Sequence, residues 1–254
     1  ELEALQMPGG AFPWFPGGWP DEYITLLVLA GFAEAKRFGV EPPAGVVDAA
    51  LGYVNSELLN DLKKEDRDLA LMAFAAYVVT SYSPDEYANA AYGHEKARKW
   101  VKFLDEHVHA LTPFGKAYLA YTHHRLGNVK RAGEILDMIM DAAREDPMVG
   151  VYFTPEKYSW VWYSDTVETH AFIMRTLEEL RPGDARIPGM MQWLLFNRKG
   201  NAWKSTKAAA AAVFALLDVM EKTGALGAPD TFEIDWADTS EDFVVKPDDW
   251  IDEP

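Results

Sequence analysis

The apolar residues of this chain recur at helical spacing along most of its length, and they form two kinds of pattern. In the first kind, they follow the i, i+3, i+4, i+7 spacing of a helix with one buried face. Three segments show it: Ala97, Trp100, Val101, Leu104 and Val108; Ala132, Ile135, Leu136, Ile139 and Ala143; and Ile187, Met190, Met191, Leu194 and Leu195. In the second kind, the segment is apolar nearly all round, as in residues 23–33, 69–79 and 208–217. Helices of the second kind must be covered on most sides, so the patterns predict inner and outer helices.

The two kinds alternate along the chain. Inner helices are predicted to begin near residues 21, 66, 112, 164 and 204, at intervals of about 45, 46, 52 and 40 residues. A period of this size is typical of stacked helical hairpins. An open solenoid would bury the same surfaces but needs polar caps at both ends. The alanines at 208–212 suit close approach at a crowded centre, so we favour a closed ring, an all-α fold of the α/α toroid type.

Helix boundaries are marked by caps and breakers. Asp21 or its neighbours cap a helix that stops at Gly39, and Thr112-Pro113 starts another that Gly127 closes. Residues 83–86, Ser-Pro-Asp-Glu, match a capping box with proline at the first helical position. Further helices are predicted from Pro43 and at about 65–82, 128–145, 164–180, 186–198 and 204–222.

The predicted helices do not complete a six-hairpin ring. Nine helices make four and a half hairpins, whereas such a ring has twelve helices. The opening residues ELEALQ are typical of the end of an outer helix, and the chain begins without methionine or signal peptide. We therefore expect either that about three helices precede residue 1 or that the ring is incomplete.

The pattern changes after Gly227. Phe232, Ile234 and Trp236 alternate with acidic residues, and residues 243–245 are Phe-Val-Val, so two strands are predicted. Residues 230–254 contain ten acidic residues and one lysine. We therefore divide the chain into a toroid domain, residues 1–227, and an acidic linker or strand extension toward a neighbouring β domain, residues 228–254.

The composition of the chain excludes several classes of function. The chain has 254 residues, of which 49% are hydrophobic, so it can bury a sizeable core. Its net charge of −16 argues against nucleic acid, which requires clustered Lys and Arg. The longest apolar runs are 11 residues, too short to cross a bilayer. The absence of cysteine excludes disulfides, thiolate zinc sites and cysteine nucleophiles within the chain, and no serine-hydrolase or phosphate-loop motif occurs. No cofactor is predicted.

Three segments together resemble a known family. GGAFPWFPGGWPDEYITLLVLAGFAEAKRFGV, WYSDTVETHAFIMRTLEEL and MMQWLLFNRKGNAWKSTKAAAAAVFALL are similar, in this order, to the thioester-domain region of bacterial alpha-2-macroglobulins. The resemblance covers about residues 1–222. It implies an α/α toroid within a larger protein of the periplasm or cell envelope, which encloses a protease after cleavage of a bait segment. The implied partners are flanking β domains and target proteases.

The family's covalent chemistry is absent from this chain. Many members bind the protease through a Cys–Gln thioester, but no Cys-x-Glu-Gln motif occurs here. In the family this motif lies upstream of the Gly-Gly-aromatic loop, and some bacterial members lack it. No catalytic residue is therefore assigned by the resemblance, and the chain is predicted not to be an enzyme.

The aromatic loop before the first inner helix, GGAFPWFPGGWP, is the most distinctive segment. Its glycines permit positive φ, its prolines stiffen the chain, and its aromatics supply contact area. The structural interpretation is that Phe12, Trp14 and Phe15 plug between hairpins, with weaker versions of the loop near Trp162 and Trp203. The alternative is a ligand or partner surface built on Trp14 and Trp19.

The segment SDTVETHAF, residues 164–172, is the most enzyme-like. Asp165 and Glu168 are three residues apart and share a helix face. Toroid-shaped glycoside hydrolases use paired carboxylates near the starts of inner helices, so a carbohydrate-active enzyme is one alternative function. The structural interpretation is that the acids stabilise a helix N-terminus and that His170 forms a hydrogen bond within the core. A protein-binding scaffold is a third possibility.

Other polar clusters give weaker signals. His107, His109, His123 and His124 lack the convergent spacing of a zinc site, so no metal is predicted. Lys199, Lys204 and Lys207 form a basic cluster, interpreted as a solvated helix start rather than an anion site. The candidate binding residues are therefore Trp14, Trp19, Trp162, Asp165, Glu168, His170 and Trp203.

Overall fold

The computed structural model describes residues 2–57, 68–155, 165–200, 202–224, 230–236 and 239–245. Helices dominate these ranges. They are α1 (Leu2–Leu5), α2 (Glu22–Arg37), α3 (Ala44–Glu57), α4 (Leu69–Val79), α5 (Ala88–Glu106), α6 (Pro113–Arg125), α7 (Val129–Met140), α8 (Thr166–Leu180), α9 (Ile187–Phe196) and α10 (Thr206–Thr223), with a 3₁₀ turn at Val108–Ala110.

The strands in the same ranges form three antiparallel pairs. They are β1 (Phe12–Pro13) with β2 (Pro20–Asp21), β3 (Arg144–Asp146) with β4 (Gly150–Tyr152), and β5 (Asp230–Trp236) with β6 (Thr239–Val245).

The helices alternate between the inside and the outside of a ring, as the sequence pattern predicts. We call α2, α4, α6, α8 and α10 the inner helices, because all five line a central cavity. Successive inner helices pack against each other, and α3, α5, α7 and α9 each pack on the outside of the preceding inner helix. The predicted all-α toroid is confirmed.

Burial follows the two sequence patterns. In α4, eight residues from Met72 to Val79 are buried. In α7 only one face is buried, formed by Ala132, Ile135, Leu136, Ile139 and Met140. An inner helix therefore has neighbours on most sides, whereas an outer helix keeps one face in water.

The inner helices α2, α8 and α10 run in the same direction. Lys207, at the start of α10, ion-pairs with Glu168 in the first turn of α8 and lies near the Tyr23 hydroxyl at the start of α2. In the second half of α10, Asp218 ion-pairs with Arg175 of α8. The first turns of these helices therefore lie beside each other, and so do their later turns.

The same direction holds around the rest of the ring. Tyr23 of α2 contacts Phe74 early in α4, and the carbonyl of Leu29, further along α2, accepts a hydrogen bond from Tyr82 just after α4. Rings join α4 to α6 in the same order along both helices: Phe74 to Tyr118 at 5.0 Å, and Tyr77 to Tyr121 at 5.5 Å. The ends of α6 and α8 approach each other through His124 and Glu179.

Side chains close the ring between α10 and α2. Besides the Lys207–Tyr23 contact, Arg37 of α2 ion-pairs with Asp218 of α10, and the rings of Phe38 and Phe214 stack with centroids 5.5 Å apart. We call this junction the α2–α10 seam.

Every inner helix begins with a side-chain cap. The acceptors are Asp21 for Ile24 N, Asp68 for Ala70 N and Leu71 N, Thr112 for Gly115 N, Asp165 for Val167 N and Glu168 N, and Ser205 for Ala208 N. The residues that precede α5, α7 and α9 make no such bond. These side chains satisfy backbone N–H groups that have no partner within the helix.

The predicted capping box at residues 83–86 is wrong. The backbone N–H groups of Glu86 and Tyr87 both donate to the Ser83 carbonyl in a turn, and α5 begins only at Ala88. Tyr87 is extended and buried, and its ring lies edge-on to Tyr82 at 5.4 Å. Tyr87 is therefore the residue before the helix and not part of its first turn.

The helix predicted for residues 128–145 ends early, at Met140, and the β3–β4 hairpin follows. The Asp146 carboxylate closes the hairpin turn by accepting hydrogen bonds from Met148 N and Val149 N. Gly150 has a φ of 96°, and a Cβ there would lie 2.1 Å from the carbonyl oxygen of Gly189. Only glycine therefore lets this hairpin pack against α9.

The two C-terminal strands are present as predicted. They pair from Asp230 with Val245 to Trp236 with Thr239. Among the described residues, no helix is both long enough and apolar enough to span a membrane.

Candidate functional site

The ring encloses a central cavity of about 530 Å³. Its wall is largely apolar and is contributed by all five inner helices: Leu27, Ala30 and Gly31; Ala70, Leu71, Phe74 and Tyr77; Phe114, Gly115 and Tyr118; Phe172; and Ala210, Ala211 and Phe214. The small side chains on α2 and α10 leave room for the cavity, and the aromatic side chains on α4, α6 and α8 line its opposite side.

The aromatic side of the wall is a cluster of ring contacts. Tyr118 lies at its centre, with centroid distances of 4.5 Å to Phe114, 4.5 Å to Phe172 and 5.1 Å to Tyr77. Burial raises the pKa of the Tyr118 hydroxyl well above its ordinary value. The middle of the cavity wall is therefore an aromatic surface.

Glu168 lies at the end of the cavity where the inner helices begin. Its Oε2 is 2.8 Å from Lys207 Nζ, and its Oε1 is buried with no hydrogen-bond partner among the described residues. Burial raises the pKa of Glu168, although the ion pair with Lys207 acts in the opposite direction. Asp68, the cap of α4, lines the cavity as well.

A buried ion network lies toward the other end of the inner helices. Arg175 donates to Glu34 of α2 at 2.8 Å and to Asp218 of α10 at 2.6 Å. Arg37 binds the same two carboxylates. Burial lowers the pKa of Arg175, but Tyr77, Glu34 and Asp218 outweigh it, so the net shift is upward. Arg175 is thus a fixed positive charge that holds three inner helices together.

Asp165 and Glu168 are close in sequence but have different surroundings. Asp165 Oδ1 caps α8, and its Oδ2 lies 3.0 Å from Lys204 Nζ. Asp165 is absent from the cavity wall, whereas Glu168 is part of it. The interpretation of Asp165 as a helix-stabilising acid agrees with these contacts.

The predicted solvated basic cluster is wrong for Lys207. Lys204 is largely exposed, but Lys207 is half-buried between Glu168 and Tyr23 and lines the cavity. Lys207 and Glu168 lie on two different helices, so no local sequence pattern indicates their ion pair.

His170 faces away from the cavity, toward α9. Its Nε2 is 3.1 Å from the Met190 carbonyl oxygen, and its ring lies 4.2 Å from that of Trp193. Burial lowers its pKa to about 4, although the contact with Met190 acts slightly in the opposite direction. These contacts agree with the predicted core hydrogen bond, and burial keeps the imidazole neutral near pH 7.

The aromatic loop is only partly buried. Phe12 is 1% exposed, as the structural interpretation expects, but Trp14 and Phe15 are 52% and 66% exposed, and Trp19 is 89% exposed. The prediction that Trp14 and Phe15 plug between hairpins is wrong. Pairing of β1 with β2 brings Phe12 and Asp21 together and leaves the intervening residues outside the core.

Asp21 and Gly10 fix the position of this loop. The Asp21 carboxylate accepts from Ile24 N and from Trp14 Nε1, at 2.8 Å and 2.9 Å. Gly10 has a φ of 87°, and a Cβ there would lie 2.1 Å from the Ala49 carbonyl oxygen. The loop is therefore a rigid projection. Of the related tryptophans, Trp203 donates to the Leu194 carbonyl, and Trp162 lies outside the described residues.

Replacing Asp21 with alanine is expected to lower the free energy of unfolding by about 1–2 kcal/mol, because it removes the cap of α2 and the partner of Trp14. Urea unfolding followed by circular dichroism measures the change. Asp21→Asn is the matched control, since its amide oxygen still caps the helix, and it is expected to lose less. Equal losses for both variants would contradict the capping role.

The remaining histidines have local contacts. His107 Nδ1 lies 2.9 Å from the Phe103 carbonyl at the end of α5, and His123 Nε2 lies 3.1 Å from Asp105 Oδ2. Within the described ranges, no group of three His, Asp or Glu side chains is placed to hold a metal ion.

Comparison with solved structures identifies the class of this fold: an all-α toroid of helical hairpins. More particularly, the chain is similar to part of Escherichia coli alpha-2-macroglobulin. Over 96% of this chain, a crystal structure of the native protein from domain MG7 to the C-terminus matches with a TM-score of 0.63 and 15% identity. The trypsin-activated form matches over 96% with a TM-score of 0.59 and 15% identity, and the native conformation over 95% with 0.63 and 14%.

This chain spans only part of those proteins, namely 36%, 16% and 14% of the three matched chains. No family model matches the sequence, and no curated protein matches it. The comparisons therefore show that this chain and those proteins share a fold.

Proposed function

We propose that this chain is the toroid domain of an alpha-2-macroglobulin-like protease inhibitor, acting in conformational capture of proteases and not as an enzyme. The observation that carries the proposal is the fold match over nearly the whole chain to both native and trypsin-activated E. coli alpha-2-macroglobulin. The three sequence segments described above point to the same family. In this proposal the parent protein is located in the periplasm or cell envelope.

The exposed aromatic loop supports a role inside a larger assembly. Trp14, Phe15 and Trp19 form an exposed apolar surface on a rigid loop, a feature typical of protein contact sites. We assign this surface to a flanking β domain of the parent chain. Residues 1–227 form the toroid domain, and the acidic segment 228–254 leads toward that neighbour.

Protease capture is tested with the full-length gene product. After incubation with trypsin, the protease is expected to keep its activity toward a small chromogenic peptide and to lose most of its activity toward a large protein substrate, because an enclosed protease admits only small substrates. Native gel electrophoresis should show a changed mobility of the inhibitor. If trypsin keeps the same fraction of its activity toward both substrates, and the inhibitor shows no mobility change, the proposal is wrong.

A matched pair of variants tests the role of the loop. Trp19→Ser removes an almost fully exposed ring, and Met148→Ser removes an exposed apolar side chain, 81% exposed, in the β3–β4 turn. We expect Trp19→Ser to reduce the fraction of trypsin captured and Met148→Ser to leave it unchanged. Equal capture by both would show that the loop is not part of the domain contact.

A carbohydrate-active enzyme is the second candidate, because Glu168 is a buried cavity carboxylate with a raised pKa. Glycoside hydrolysis uses such a group as a general acid together with a second carboxylate, and Asp165 already binds backbone N–H groups and Lys204. The test is to assay the protein against a broad panel of glycans. If it turns over any of them, and Glu168→Gln or Asp165→Asn abolishes that turnover, the enzyme hypothesis would replace the inhibitor proposal.

A further inference from the structure

We propose that the outer face of α9 is a dimer interface, on which α9 of a second copy of this chain packs antiparallel about a two-fold axis. This inference concerns the chain itself and does not depend on protease capture.

α9 differs in composition from the other outer helices. Its sequence, IPGMMQWLLF, contains no charged residue. By contrast, α3 contains Asp48 and Glu57, and the exposed residues of α5 and α7 include both acids and bases. An outer helix in water normally carries polar and charged residues on its exposed side. The exposed side of α9 is therefore suited to contact with protein.

This exposed side is a continuous apolar stripe that contains one amide. Its members share helical spacing, and we call them the α9 stripe: Pro188, Met191, Gln192, Leu195 and Phe196. Leu195 and Phe196 are 49% and 64% exposed. Pro188 and Gln192 are exposed as well, and Met191 is half-buried. A contiguous exposed apolar surface is typical of a protein contact site.

A second copy of the chain fits the α9 stripe. Because the net charge is −16, most surfaces of two copies repel each other, whereas two uncharged stripes do not. A two-fold axis places the same apolar residues on both sides of the contact, so each copy covers the stripe of the other. Charged residues are depleted from the cores of protein interfaces, as they are in this stripe.

The two ends of α9 carry different charges. Arg198 and Lys199 follow its last turn and are exposed, so this end is basic. At its start, Asp184 and Arg186 form an ion pair of 2.7 Å, and their charges cancel. Glu145 of β3 lies nearby, because the pKa of Arg186 is raised mainly by Asp184 and in addition by Glu145.

These charges set the direction of packing. Glu145 is exposed, and its neighbour Arg144 points to the opposite side of β3. In an antiparallel pair, Arg198 and Lys199 of each copy therefore lie beside Glu145 of the other copy. A parallel pair would bring the cations of both copies together, which is unfavourable.

Sedimentation velocity of the 254-residue chain tests the proposal. A reversible monomer–dimer equilibrium is expected, with a dissociation constant on the order of 10 μM, as for a small interface. Leu195→Glu puts an unpaired carboxylate on each side of the contact and is expected to raise this constant by more than about hundredfold. Val129→Glu, which replaces an apolar residue that is 61% exposed on α7, is the matched control and should leave it unchanged. A chain that stays monomeric at all concentrations, or equal effects of the two variants, would overturn the proposal.

Cross-linking identifies the face, because the chain has no cysteine and an introduced thiol is the only one present. In the antiparallel pair the middle of α9 lies opposite the same residues of the other copy. Gln192→Cys is therefore expected to form a disulfide-linked dimer in an oxidising buffer, and Val129→Cys to remain monomeric on a non-reducing gel. No cross-link in Gln192→Cys, or equally fast cross-linking in both variants, would contradict the assigned face.

Paired charge reversals test the direction. Lys199→Glu and Glu145→Lys are each expected to weaken the dimer by about threefold to tenfold, because each brings like charges together across the contact. The double variant is expected to regain most of the lost affinity. A double variant that dimerises no better than either single variant would exclude the antiparallel arrangement.

Discussion

Replacing Arg175 with methionine is expected to lower the free energy of unfolding by about 3–5 kcal/mol, the usual cost of removing one partner from a buried ion pair. Methionine has a similar length but no charge, so Glu34 and Asp218 keep only Arg37, which is more exposed than Arg175. Urea unfolding followed by circular dichroism measures the loss.

Two further variants separate this effect from a general loss of arginine. Arg181→Met removes a surface pair with Asp137 and is expected to change the free energy of unfolding by less than about 1 kcal/mol. Adding Glu34→Gln and Asp218→Asn to Arg175→Met removes the two carboxylate charges that Arg37 alone would have to balance, and is expected to restore part of the stability. Similar losses in Arg175→Met and Arg181→Met would show that the network does not hold the ring together.

Acidification is expected to destabilise the protein through His170. The unfolded chain binds a proton at this site with a pKa near 6.5, whereas burial lowers the folded pKa to about 4. Between these values the unfolded state holds more protons, so the free energy of unfolding falls as pH falls. The full loss is about 3 kcal/mol, reached below the folded pKa.

The contribution of His170 is isolated by His170→Gln, because His94 and His123 also have pKa values lowered by burial and respond in the same direction. Unfolding free energies of both proteins are measured from pH 7 to pH 4. The difference between them should shrink by up to about 1.4 kcal/mol per pH unit as pH falls. Parallel profiles would mean that the folded and unfolded states bind protons equally at this site, so that burial does not lower the pKa of His170.

The ring could be predicted from sequence because its signals are local or periodic. Segment 69–79 is apolar all round and predicts an inner helix. The pattern from Ala132 to Ile139 has one apolar face and predicts an outer helix. Likewise Asp21 and Thr112 mark helix starts whose hydrogen bonds form within three residues. Such features depend on residues that are neighbours in the chain.

The cavity chemistry depends on residues that are distant in the chain, and it could not be predicted. Glu34 and Arg175 are 141 positions apart, and Lys207 and Tyr23 are 184 apart. Its spacing to Asp165 singles out Glu168 in the sequence, yet the charged group beside it in the structure is Lys207. The local signal at residues 83–86 failed for the same kind of reason, because Glu86 pairs with Lys36 of α2, 50 positions away in the chain.

The common direction of the five inner helices has an electrostatic consequence. All five inner helices begin at the same end of the ring, so that end gathers backbone N–H groups that have no partner within their helices, and with them the partial positive charge of five helix N-termini. The aspartate caps of α2, α4 and α8 and the carboxylate of Glu168 lie at this end, where negative charge is favourable. These carboxylates thus counteract the local field of the backbone at one end of the ring.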